Sequence, residues 1–342
     1  MNCLICNKLE KVQFIDDYIF QFEEDKDYFK KAKVYRCNDC DFSFVHPMPS
    51  LETLDFFYKN IYSSKTRPPY WAEEDYEDQK VHYLEDKNLS YLLYLTTLLD
   101  FKKIKTVFDF GCSNGDLGYA LKIKFPQLDL FCSESDLHCK KILKERGYKN
   151  FDNLNKINQK FDLIIVTHAL EHITDVNYIF NKFNDLLNSK GYIFFEVPNC
   201  PKEYWNGRPY EGLHLLYYTK KSMEKLADIH HFNFINFSFS AHSFENDRKY
   251  QIQDHKSFTK YKNKFFSLLR FKIFVKKILP KKITRNLKDY VKGKKTRDKA
   301  KLDWFANNTG DNCYIRGILQ KNNSKLSFFI LSKDILCFIS NG

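Results

Sequence analysis

Two pairs of cysteines open the sequence. Cys3 and Cys6 stand in C-L-I-C and Cys37 and Cys40 in C-N-D-C, with 30 residues between the pairs. Two thiolates with two residues between them reach one tetrahedral ion, and four thiolates close a Zn²⁺ site that leaves no position for water. The ion expected here is therefore structural, and it would hold together a segment too small to build its own core. A redox role fits poorly, because neither pair starts a helix in a strand–helix–strand unit. Cys112, Cys132, Cys139, Cys200, Cys313 and Cys337 show no partner spacing and read as small buried apolar residues.

A second constellation is V-F-D-F-G-C-S-N-G-D-L-G, residues 107–118. Gly111 permits a tight turn with backbone close to a ligand, and Gly115 lets a helix start against the strand, offering unsatisfied N–H groups. A dinucleotide fingerprint would place a glycine where Ser113 stands. Asp109 precedes the turn, where a carboxylate suits an ammonium and opposes a pyrophosphate. Glu134 ends the next apolar run, L-D-L-F-C-S, a position from which a carboxylate accepts hydrogen bonds from ribose hydroxyls. An amino acid and a ribose in one crevice point to S-adenosylmethionine (SAM).

A third stretch, H-A-L-E-H from His168 to His172, spells H-x-x-E-H. It resembles the zinc signature of inverzincin peptidases, which requires the motif on a helix. Here the five residues follow F-D-L-I-I-V-T, a buried strand, and the next helix starts near Asp175. That context assigns them to a loop at the rim of the pocket.

The elements that position these groups alternate. T-V-F-D-F, L-D-L-F-C-S, F-D-L-I-I-V-T and G-Y-I-F-F-E-V are strands, each followed by a helical stretch or a loop, and the period-2 pattern F-N-F-I-N-F-S-F-S comes later. Such alternation predicts an α/β fold, a Rossmann-like parallel sheet with helices on both faces. N-C-Y-I-R-G-I-L-Q reads as a closing strand. The expected organisation is a zinc ribbon over 1–50, a helical connector over 51–100, a SAM-binding core over 101–242, a basic helical insertion over 243–305, and closing strand and tail over 306–342.

With these motifs in this order, residues 105–240 resemble class I SAM-dependent methyltransferases with their seven-strand sheet. The resemblance implies cofactor contacts at Asp109, Gly111, Ser113, Asn114, Gly115, Glu134 and Thr167. Y-R-C-N-D-C-D-F-S-F-V-H-P-M-P-S resembles the zinc-ribbon start of methyltransferases of sugar and surface-polysaccharide pathways, and the layout resembles the sugar C-methyltransferases. The acceptor implied is a sugar, nucleotide-sugar or glycan, and Zn²⁺ at Cys3, Cys6, Cys37 and Cys40 is the second cofactor. Candidate catalytic residues follow strands four and five: His168, Glu171 and His172, then Glu211 and His214. In the sugar C-methyltransferases a histidine of the latter stretch acts as base, a role the resemblance carries to His214. Glu211 and His214 are separated by two residues here, where the family has an adjacent Glu-His pair. R-P-P-Y-W at 67–71 resembles the P-P-Y of amino-methylating enzymes but precedes the glycine turn, so it is assigned no chemistry.

The chain has 342 residues and a formal net charge of +12. Between Lys260 and Lys301 stand 17 Lys/Arg against two acids, a local balance of +15 that leaves −3 for the rest. Three readings of this segment stay open: a solvated insertion, contact with an anionic membrane surface or phosphate-bearing substrate, and nucleic-acid backbone binding. Its charges do not gather on one helical face, so it does not form a clean amphipathic membrane helix. Neither a secretory signal nor an apolar run of membrane-spanning length is visible. The expected location is the cytoplasm, with peripheral attachment to the inner face of the membrane as the alternative. Two other functions stay open: a zinc-ribbon ribosomal-RNA methyltransferase, and a non-catalytic binding module on the same scaffold.

Overall fold

The computed structural model describes residues 1–18, 25, 27–29, 31–62, 86–205, 213–240 and 313–322. Glu211, Cys337, the R-P-P-Y-W stretch and the basic segment 260–301 lie outside the described residues. Residues 1–237 and 314–342 form one compact unit. Residues 238–313 form another, of which only 238–240 and 313 are described.

Strands β1 (Val12–Asp17), β2 (Lys33–Cys37) and β3 (Ser43–His46) form an antiparallel sheet at the front of the chain. Its fourth strand comes from far along the sequence: β9 (Leu216–Tyr217) pairs with β3. The helical stretch after it is α1 (Leu51–Phe57) with a π-helical turn over Tyr58–Tyr62, and then α2 (Asp86–Leu98). Ser50 caps α1 by accepting from the Thr53 N–H.

The main sheet holds β4 (Thr106–Phe110), β5 (Asp129–Ser133), β6 (Lys149–Asn150), β7 (Phe161–Thr167), β8 (Leu187–Pro198), β10 (Phe232–Ser240) and β11 (Tyr314–Lys321), in the order β10-β11-β8-β7-β4-β5-β6. β6, β5, β4, β7 and β8 are joined by parallel pairings. The sheet is mixed, not wholly parallel, because β11 runs antiparallel to β8. This is a Rossmann-like methyltransferase fold. Apolar runs report burial but not direction, so the reversal of β11 could not be read from its composition.

Local signals explain the helices. α3 (Asp116–Lys124) starts at Gly115, and α4 (Leu137–Glu145) follows β5. α5 (Val176–Leu186) is capped by the Asp175 carboxylate, which accepts from the Tyr178 N–H. It buries Val176, Ile179, Phe180, Phe183 and Leu186, one stripe at helical spacing. Phe180 and Phe183 are fully buried, each contributing about 2–3 kcal/mol by area. α6 (Lys220–Ile229) opens with a capping box between Thr219 and Ser222. β7 is buried over most of its length, as a central strand covered on both faces must be. Among the described residues no helix is long and apolar enough to cross a membrane.

Candidate active site and cysteine knuckle

The connection from β4 leads to β5 on one side of the sheet, whereas β7 lies on the other side of β4. A crevice opens at such a switch point, above the strand C-termini, and the glycine turn sits there. Gly111 has φ +62 and its N–H donates to the Ser133 carbonyl at 2.9 Å. A Cβ on Gly111 would stand 2.7 Å from the Ala169 Cβ, so the turn after β4 lies directly against the loop after β7. Ser113 has φ +50, the left-handed region in which glycine would rest without strain. Gly115, also left-handed, begins α3.

Glu134 is held by this turn. Its Oε2 accepts from the Ser113 N–H at 2.7 Å and its Oε1 from the Asp136 N–H at 2.9 Å. Burial raises its pKa against those amides. Asp109 is buried, and its pKa stands well above the usual carboxylate range, first through burial and then through the charges of Asp116 and Glu134. Asp116 is neutralised by Arg146 at 2.6 Å. Asp109 has only the Tyr148 hydroxyl at 3.5 Å. Asn114 is buried with its Oδ1 unpartnered among the described residues. Two carboxylates without a cation, a spare buried acceptor and free helix N–H groups fit a cationic amino-acid ligand carrying a ribose. Thr167, half-buried, ends β7 at the same edge.

The loop after β7 carries a second set. His168 (φ +52) projects between two carboxylates, Nδ1 to Glu171 Oε1 at 3.4 Å and Nε2 to Glu196 Oε1 at 3.1 Å. Burial pulls its pKa down, but the two carboxylates outweigh that and hold it at about 9. His168 is thus a cation at neutral pH. His172 donates or accepts at Nδ1 with the Leu213 carbonyl, and a carbonyl can only accept, so the proton sits on Nδ1 and Nε2 keeps its lone pair. Burial lowers the His172 pKa. The His172 and His214 rings stand 5.0 Å apart. Ligand atoms of Glu171, His172 and His214 all lie within 4.8 Å of one another. Glu171 is 1 % exposed, and neither of its oxygens has a hydrogen bond among the described residues, the His168 contact being long. H-A-L-E-H is not on an α-helix: it holds one 3₁₀ turn, Leu170–His172, before the Asp175 cap.

Sequence reasoning missed Glu196 and Arg316. They are register partners on β8 and β11, both 0 % exposed. Arg316 donates Nε and Nη2 to Glu196 Oε2 at 2.8 and 2.7 Å. Glu196 Oε1 takes Tyr91 Oη at 2.7 Å and Lys87 Nζ at 2.8 Å besides His168. Burial alone would raise the Glu196 pKa, yet Arg316, Lys87 and His168 drive it well below its usual value. The available signal was one charge of each sign inside two otherwise apolar strands, a pattern that demands pairing.

The four cysteines of the knuckle converge. Cys3 and Cys40 Sγ stand 3.5 Å apart, Cys6 and Cys37 Sγ 3.6 Å, and all four lie within 4.8 Å. Disulfides need about 2.05 Å, whereas thiolates about 2.3 Å from one tetrahedral ion stand about 3.8 Å apart. The Ile5 and Cys6 amides donate to Cys3, the Lys8 amide to Cys6 and the Phe42 amide to Cys40. Together with the Cys40 hydrogen bond, which comes first, they pull the Cys3 pKa down to about 5. The donor set fits a structural Zn²⁺. Cys132, Cys139, Cys200 and Cys313 are buried, and Cys112 half-buried.

Residues 81–246 match the family model described as a methyltransferase domain. With the sheet order and the crevice above, this stretch is a class I SAM-dependent methyltransferase domain, and its chemistry is methyl transfer. The chain is also 30% identical over 145 residues to the uncharacterized protein MG259 of Mycoplasma genitalium, a match spanning 39% of this chain and 29% of that protein. Similar solved structures include the O-methyltransferase of StiE (18% identity, 73% of this chain and 79% of that one, TM-score 0.41). Coclaurine N-methyltransferase bound to N-methylheliamine and S-adenosylhomocysteine is another (14%, 68% and 72%, TM-score 0.43).

Proposed function

We propose that the protein transfers a methyl group from SAM to an oxygen or carbon of a sugar, nucleotide-sugar or glycan. The observation that carries the placement of the reaction is the contact between Gly111 and Ala169, which sets the cofactor turn against the loop holding His168, Glu171 and His172. Bound SAM supplies an electrophilic methyl on a sulfonium. Asp109 and the 113–115 amides would hold its methionine end, and Glu134 its ribose. His172 takes the acceptor proton at Nε2, its ring fixed by the Leu213 carbonyl. His168, cationic between two carboxylates, cannot be the base and instead balances Glu171 and Glu196. His214 faces His172 and orients the acceptor or relays the proton. Support for the acceptor class comes from the cysteine module ahead of the domain, as in the sugar methyltransferases the chain resembles. The test is methyl transfer to a panel of nucleotide-activated sugars against structured RNA, read by mass. Methylation of RNA alone would overturn the acceptor class.

A second reading of the acceptor cluster rests on the orphaned carboxylate of Glu171 beside His172 and His214. A divalent cation there would bind the acceptor oxygen and lower its pKa, replacing the base. Metal analysis of the purified chain decides: two ions per chain, one lost in His214→Ala, supports it, and one ion retained in that variant refutes it.

A further inference from the structure

We propose that the metal-loaded cysteine knuckle is the positioning element of the acceptor site, so that its loading sets acceptor geometry and leaves SAM binding untouched. The inference rests on the reading of residues 168–172 and 213–214 as the acceptor site.

A continuous set of bonds carries it. The second cysteine pair flanks a turn closed by the Asp41 N–H on the Cys37 carbonyl at 2.9 Å and the Cys37 N–H on the Phe42 carbonyl at 2.8 Å. That turn delivers β3, which pairs Ser43 with Tyr217 and Phe44 with Leu216. Val45 N–H donates to the Leu215 carbonyl at 2.9 Å. On its other side Leu215 donates its own N–H to the Glu171 carbonyl at 2.7 Å. The flanking Leu213 carbonyl fixes His172, and Tyr217 Oη donates to the His214 carbonyl at 2.9 Å. Segment 213–218 is therefore a layer bonded to the knuckle strand on one side and to the acceptor loop on the other. The first cysteine pair is tied in as well. Asn177 Nδ2 donates to the carbonyl of Leu4, between Cys3 and Cys6, and Arg36 Nη1 donates to the Cys200 carbonyl at 3.3 Å.

The layer needs this support. Leu213 has φ +62, a left-handed conformation that a branched side chain holds only when its surroundings enforce it. β9 itself is two residues long and cannot stand without β3. The SAM contacts sit elsewhere: Gly111 bonds to β5 and Glu134 to Ser113 and Asp136, and none of these bonds involves residues 1–46.

The test compares the full-length protein as purified with the same protein stripped by a zinc chelator, and with Val45→Pro, which keeps all four cysteines but removes the N–H that reaches Leu215. Metal content, SAM affinity by calorimetry and amide hydrogen exchange are read in parallel. The expected result is a fall in protection of at least about ten-fold at Leu215 and His172 on stripping and in Val45→Pro. SAM Kd should stay within about two-fold, and Val45→Pro should keep its metal. Unchanged exchange at Leu215 in stripped protein overturns the proposal. So does equal loss of SAM binding, which would make the metal a support of the whole fold, and so does a purified protein without metal. None of these readouts needs an acceptor, so a wrong acceptor class shows only in the transfer assay.

Discussion

Replacing Arg316 by Met probes the least exposed charge pair in the protein. Arg316 and Glu196 are each 0 % exposed and share two bonds of 2.7 and 2.8 Å. The arginine stem runs over the rings of Tyr91 and Tyr94, at 4.8 and 5.4 Å from their centroids, and methionine can keep much of that packing. What is lost is the partner of a buried carboxylate, which costs about 3–5 kcal/mol. Lys87, Tyr91 and His168 remain on the other oxygen, so the low end, about 3 kcal/mol, is expected. Adding Glu196→Gln removes the stranded charge, and the double variant should recover about 1–2 kcal/mol relative to Arg316→Met alone. Urea unfolding of the full chain, with unchanged m-value, measures both. A loss under about 1 kcal/mol, or a double variant less stable than the single, refutes the reasoning. In Glu196→Gln alone, the His168 pKa should also fall from about 9, because one of its two carboxylates is gone; imidazole NMR titration reports it.

Other outcomes follow from the same geometry. Gly111→Ala places a Cβ 2.7 Å from Ala169 at φ +62 and should cost about 2 kcal/mol or more, with SAM affinity reduced. Adding Ala169→Gly should restore part of it, and no restoration would mean the backbone, not the contact, is limiting. His230 is buried against Asn177 and Asn181, and burial, with His231, pulls its pKa down to about 4. The unfolded chain takes that proton near pH 6.5. This contribution is therefore complete above about pH 6.5 and is lost as pH falls toward 4, about 3 kcal/mol in all. Denaturation between pH 7 and 4.5 should show a shallower decline in His230→Gln. His172→Asn should lower kcat for a hydroxyl acceptor by about 10²–10⁴ with SAM affinity unchanged. An equal loss in both would make His172 a structural residue.

The apolar runs and helical stripes placed most elements of the methyltransferase sheet, because strand and helix periods differ and the Asp175 and Thr219 caps mark helix starts. β9 escaped, since two residues in L-H-L-L-Y-Y carry no period and gain their pairing only from β3, some 170 residues earlier. Asp109, Glu134 and the four cysteines were legible because their chemistry depends on short spacings. Glu196 and Arg316 were not, because strand register decides which distant charges meet. Glu171 and His172 stood out in the sequence, but their partnership with His214 and Leu213 is a product of the tertiary fold.

Calorimetry of SAM against the full-length protein tests the central claim most directly, with Asp109→Ala and Glu134→Ala alongside. The account predicts saturable binding at one site, weakened about ten-fold or more by each substitution, since each removes a charge-assisted contact of about 1.5–3 kcal/mol. No binding by the wild-type protein, or binding indifferent to both carboxylates, would contradict it.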